Sequence, residues 1–147
     1  MHPLDTITII LAGLMVGNEL AVAAFFNPAA WRLESTPQAQ ALSILAGSLG
    51  RVMPVWYGLC LALLVLESFL HRGQAAFIPL LTATVIWAGV IIFSISALVP
   101  INNRIASLNT APTPGWKQDH KKWDSRHRIR ILLLAVALLL FTYALVA

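Results

Sequence analysis

Charge is what this sequence has least of. Only 11% of its 147 residues are charged, where a soluble domain carries about 25%. A large solvated surface is therefore not encoded. Cysteine is nearly absent: Cys60 stands alone, which excludes an intrachain disulfide and any Cys-x-x-Cys redox or zinc motif. It reads as a small core residue. No Gly-rich phosphate loop and no nucleophile elbow occurs, so neither P-loop nucleotide chemistry nor serine-type hydrolysis has a foothold. No internal repeat or low-complexity stretch is present. The net charge of +4 is read as marking membrane-flanking loops and not as a nucleic-acid surface.

Apolar residues fill the space. They make up 59% of the chain and fall into four runs, at 4–26, 52–70, 75–99 and 129–147. Each is close to the roughly 20 residues that cross a hydrocarbon core of about 30 Å. Lipid offers no partners to backbone N–H and C=O groups, so these runs are expected to be helices. The reading is an all-α membrane protein, a single four-transmembrane-helix domain over residues 1–147. The first run lacks a basic n-region and is interrupted by Asn18-Glu19, so it is kept as a span and not as a signal peptide.

Basic residues set the expected orientation. Four crossings put the 27–51 and 100–128 connections on one side, with Arg32, Arg51, Arg104, Lys117, Lys121, Lys122, Arg126, Arg128 and the boundary residue Arg130. The other side holds only Arg72. The positive-inside rule then predicts cytoplasmic long loops and both termini outside.

In chain order, Asp5 or Thr6 is a candidate cap for the first helix, and Asn27-Pro28 is expected to end it. Residues 34–51 carry helix signals but are too short to span, so an interfacial helix is expected between the first two spans. Trp31 and Trp56 suit an aromatic belt. Glu67, with His71 and Arg72, is expected to snorkel to the surface as a structural pair. A tight turn at Gly73 leads to a third helix that stops at Pro100.

The chemistry-bearing stretch is 99–130, which holds seven of the ten basic residues. Trp116, His120, Trp123 and His127 recur at spacings of four, three and four and so share one helix face. That helix is expected to start near Trp116 behind a Thr113-Pro114 cap and to run unbroken into the fourth span, extending beyond the membrane. Deep in the first span, Glu19 costs about 2.5–3.5 kcal/mol to insert and must face the bundle interior or water. It is either a proton acceptor or ligand, or a structural partner to a buried Arg or Asn. A metal, if bound, would draw on Glu19, His120 and His127, although two histidines seven residues apart are not the i,i+4 pair of a metal-binding helix.

The segment Val99-Pro100-Ile101-Asn102-Asn103, followed by Trp116 and then by Trp123-x-x-x-His127-x-x-Arg130 running into an apolar helix, resembles the anthrone-oxygenase-like family of small membrane proteins. Arg51-Val52-Met53-Pro54 fits the same layout. The resemblance implies a membrane-embedded oxygenase, placed in a bacterial inner membrane, that takes an apolar aromatic anthrone- or quinone-like molecule, removes a proton and lets the anion react with O2. The resemblance further implies that so electron-rich a substrate can react without a cofactor. His127, with an ordinary pKa near 6.5, is then the expected base, and Glu19 either orients it or replaces it. Asn102 and Asn103 would donate to the developing oxyanion. Arg130 or Arg104 would stabilise the anion, Trp116 and Trp123 would stack on the ring, and Asn18 and Arg51 would complete the substrate site. Two alternatives stay open: a non-catalytic bundle serving small-molecule binding, transport or an accessory role, and a redox protein holding a transition metal or haem. A homo-oligomer is compatible with any of them.

Overall fold

All four helices overshoot their hydrophobic runs. A computed structural model describes residues 2–108 and 112–146; position 1, positions 109–111 in the long connection, and position 147 at the end of the fourth expected span lie outside the described residues. The helices are α1 (Pro3–Ala30), α2 (Ser35–Leu70), α3 (Phe77–Ala106) and α4 (Trp116–Val146). Each is long and apolar enough to cross a membrane. At 1.5 Å per residue α2 extends about 54 Å, well past a hydrocarbon core of about 30 Å. Neighbouring helices pack in chain order and α4 closes the ring against α1.

The interfacial helix expected between the first two spans is not a separate element. Residues 35–51 are the first half of α2 and join its membrane-spanning half without a break. The reason is phase. Ala39, Leu42, Ala46, Met53, Tyr57, Cys60 and Leu64 are all buried, and their spacings of three, four and seven keep one stripe on one face. Pro54 sits inside this helix without ending it.

Pro28 and Pro100 also fail to stop their helices. Each comes one residue after a stretch of π-helix, Val22–Phe26 in α1 and Ser94–Leu98 in α3. The Asn27 N–H reaches the Val22 carbonyl and the Val99 N–H reaches the Ser94 carbonyl, both i to i+5 bonds. The wider turn relieves the clash between a proline ring and the carbonyl four residues earlier, so the chain stays helical. Arg126 of α4 donates to the Ala97 carbonyl within the second π stretch at 2.8 Å.

Helix ends follow local chemistry. The cap of α1 is His2, not Asp5 or Thr6: its ring accepts from the Leu4 N–H, and Asp5 accepts from the His2 N–H. Pro3 at the first position moves the start of the helix back to this capping box. The turns before α3 and α4 contain Gly73 and Gly115 at φ values of 83° and 84°, a region glycine enters without steric cost.

Two apolar clusters result. One, in the membrane-spanning half, gathers Met15, Tyr57, Leu64, Trp87, Leu134 and Phe141. The other, at the mouth, gathers Val22, Leu42, Leu98, Ile105, Trp116 and Trp123. Large apolar side chains such as Phe25, Val55, Ile92 and Leu139 cover the outside, as a lipid-facing surface requires. Glu67 does not snorkel: it is 0% exposed and accepts from the Thr8 hydroxyl at 3.0 Å.

Candidate functional site

Between the two clusters lies a polar knot. Glu19 of α1 is 2% exposed and His127 of α4 is 1% exposed. The carboxylate of Glu19 accepts from the Tyr57 hydroxyl of α2 at 3.0 Å and from the Arg130 guanidinium of α4. Arg130 lies over the Tyr57 ring, 5.6 Å from its centroid. It also reaches the Ser94 hydroxyl at 3.5 Å. His127 and Arg130 are three residues apart and so lie on one side of α4, which lets both meet the same carboxylate.

The hydrogen bonds of His127 define its tautomer. Its Nε2 lies 3.1 Å from the main-chain carbonyl of Glu19, which can only accept, so Nε2 carries the proton. In the neutral ring Nδ1 is then bare and accepts from Arg130 Nη2 at 2.9 Å. The same Nδ1 is 3.1 Å from Glu19 Oε2. Trp123 stacks on the ring, centroids 4.5 Å apart and planes 16° from parallel.

Beside this knot a cavity of about 300 Å³ opens between α2 and α3. Its apolar walls include Met53, Pro54, Ile91, Ile95, Leu98 and Val99. Its polar groups come from Glu19, Tyr57, Ser94, Asn102, Asn103 and Arg130, with Trp123 along one side. Asn102 is anchored by donating to the Ala46 carbonyl at 3.1 Å. Gly50 leaves room for this contact: a Cβ added there would lie 3.2 Å from the Asn102 amide nitrogen.

The cavity thus brings together Glu19, Asn102, Asn103, Trp123 and Arg130. His127 stands behind Glu19 and is not among the lining residues. The other expected contributors are elsewhere. Trp116 is packed in the mouth cluster. Arg104 is exposed and paired with Asp119 through bonds of 2.8 and 2.9 Å. Arg51 is exposed and turned back to the Gly47 carbonyl. Asn18 donates to the Met53 sulfur at 3.6 Å and does not line the cavity. Asn18, Arg51 and Arg104 are turned away by helical phase, whereas Trp116 shares a face with Trp123 but lies two turns further along α4, in the mouth cluster. Glu19, His120 and His127 do not converge as metal ligands: among the described residues the one grouping of three such side chains is Asp5, Glu67 and His71. His120 instead stacks on Trp31 at 4.5 Å and meets Asn27 Oδ1 at 3.4 Å. Neither histidine faces the cavity.

Tyr57 and Ser94 were not expected in the site. A tyrosine in the middle of an apolar span was a usable signal, because its hydroxyl needs a partner when buried. Ser94 had no such signal, since serine in a spanning helix commonly bonds its own backbone, as it also does here to the Val90 carbonyl at 2.7 Å.

A family sequence model described as anthrone oxygenase matches residues 48–140, more than half of the chain. No curated protein and no solved structure matches. The matched segment runs from the middle of α2 through most of α4 and carries every polar cavity residue except Glu19, which enters from α1. The chain is an all-helical integral membrane protein and belongs to the anthrone oxygenase family.

Proposed function

We propose that the cavity binds a flat, apolar aromatic ketone of the anthrone class and that Glu19 removes its benzylic proton, after which the anion reacts with O2. The observation that carries this reading is a buried carboxylate lining an apolar cavity, held by Tyr57 and Arg130. A base so placed is dehydrated and aimed, which is what proton abstraction from carbon requires. His127 backs it. Once Glu19 has taken a proton, Oε2–H can donate to the bare Nδ1 3.1 Å away, so the contact that is poorly matched before the transfer becomes a hydrogen bond after it. Asn102, Asn103 and Arg130 line the same space and supply donors for the enolate oxygen.

The reaction balances without an external reductant. Loss of one C–H proton gives the carbanion, which combines with O2 to form a peroxide anion. Protonation gives a hydroperoxide, and loss of water with the second C–H proton leaves a ketone. One oxygen atom ends in the carbonyl and the other in water. The test is anthrone oxidation by the purified full chain in detergent, followed by quinone absorbance above the spontaneous rate. Wild-type acceleration that disappears in Glu19→Gln supports the reading. A wild-type rate equal to the spontaneous one removes it and favours the binding or transport alternative. The basic bias supports long connections facing the cytoplasm.

A further inference from the structure

At the end of the bundle away from the cavity, two carboxylates and an imidazole meet. Asp5 comes from the first turn of α1, Glu67 from the last turn of α2, and His71 caps the C-terminus of α2. Glu67 and His71 are four residues apart and so project side by side. One ligand-type atom from each of the three residues lies within 4.8 Å of the other two.

The charge balance here differs from that at Glu19. Asp5 is 5% and Glu67 0% exposed, yet no lysine or arginine among the described residues pairs with either. The other deeply buried carboxylate of the bundle, Glu19, has Arg130. Thr8 donates to Glu67 Oε1, and the His2 main-chain N–H donates to Asp5 Oδ2. The remaining oxygen, Glu67 Oε2, is buried with no hydrogen-bond partner, and it points toward His71, 3.7 Å from Nδ1. Two buried carboxylates at the end of a membrane bundle, one with an oxygen left over, are neutralised either by a shared proton or by a bound cation.

We infer that Asp5, Glu67 and His71 form a binding site for a divalent transition cation of the zinc type. The donor set selects the metal: one imidazole with two carboxylates suits Zn²⁺, while Mg²⁺ and Ca²⁺ take oxygen alone. His71 Nδ1 lies 3.0 Å from the Glu67 main-chain carbonyl and must leave that contact and its proton to ligate; a tetrahedral ion with ligands near 2.1 Å holds them about 3.4 Å apart, a spacing that side-chain rotation reaches once the ring is released. Three protein ligands leave one position for water. The cation neutralises both carboxylates and ties the start of α1 to the end of α2.

The test is zinc binding to the full chain, purified without a metal-binding tag, in detergent. After dialysis against Zn²⁺ and removal of the excess, wild type is expected to retain about one equivalent by elemental analysis. Its thermal midpoint should rise with added Zn²⁺ and return with chelator. Glu67→Gln and His71→Ala should each lose the retained metal and the zinc-dependent shift. His71 is partly exposed, so His71→Ala keeps the fold and serves if Glu67→Gln does not accumulate. Co²⁺ should give visible bands with wild type that are absent with His71→Ala. Retention of zinc by His71→Ala at the wild-type level, or no retention by wild type, overturns the site and leaves a carboxyl pair sharing a proton.

Discussion

His127 touches both ends of Glu19. Its Nε2–H donates to the Glu19 main-chain carbonyl at 3.1 Å, while Nδ1 sits 3.1 Å from the Glu19 carboxylate. The first contact locks the ring and its tautomer. The second gives the carboxylic acid an acceptor once it is protonated. This ranks the two residues: Glu19 faces the cavity and His127 supports it.

The kinetic consequence is asymmetric. Glu19→Gln keeps the shape but removes the proposed base, and anthrone oxidation should fall to the spontaneous rate. His127→Ala should retain measurable turnover, slowed about 10²-fold, at the low end for a lost proton-transfer partner. Turnover of purified, folded variants is the measurement. If His127→Ala loses as much as Glu19→Gln while folded, the ranking is wrong.

Asn103 lines the cavity from α3 and makes no competing side-chain hydrogen bond among those described. Asn103→Ala should slow turnover about 10²–10³-fold, the usual cost of one lost oxyanion donor, with little change in the denaturation midpoint. An unchanged rate would show that the enolate oxygen does not reach it.

Arg130 is the structural counterpart. Removing it strands the buried Glu19 carboxylate, and Arg130→Ala should destabilise the bundle by about 3–5 kcal/mol. Adding Glu19→Gln to Arg130→Ala should recover part of that loss, a coupling that a double-mutant cycle in a denaturing-detergent titration reads directly. Strict additivity would mean the pair does not hold the fold.

Gly58 offers a test of the cavity alone. It lines the space, and a Cβ built on it meets no atom within 4 Å. Gly58→Leu should fold at least as well as wild type, because leucine is the better helix former. It should raise the KM for anthrone by an order of magnitude or more. A KM unchanged by this filling would place the substrate elsewhere.

Orientation is accessible to labelling. Cys60 is the only cysteine and is buried. In a Cys60→Ser background, Lys121→Cys at the mouth and Gln74→Cys at the far turn are both exposed positions. An impermeant maleimide added to intact cells should modify the second and not the first. The reverse pattern would invert the topology.

The sequence alone determined the class, because length and apolarity decide it: a run of about 20 apolar residues in lipid must satisfy its own backbone, and only a helix does so. It also determined that Trp116, His120, Trp123 and His127 share a face, since local periodicity needs no partner; all four are buried. Tertiary structure alone decided which polar groups meet. Tyr57 reaches Glu19 across 38 positions and Arg130 across 111, separations at which a sequence shows composition but not contact. Phase decided the rest. The π-helical turns before Pro28 and Pro100 kept α1 and α3 helical and turned Asn102 and Asn103 to the cavity. The unbroken stripe of α2 absorbed the expected interfacial helix and left Arg51 outside. A proline or an arginine reads the same in a sequence wherever its side chain points, and only packing fixes that direction.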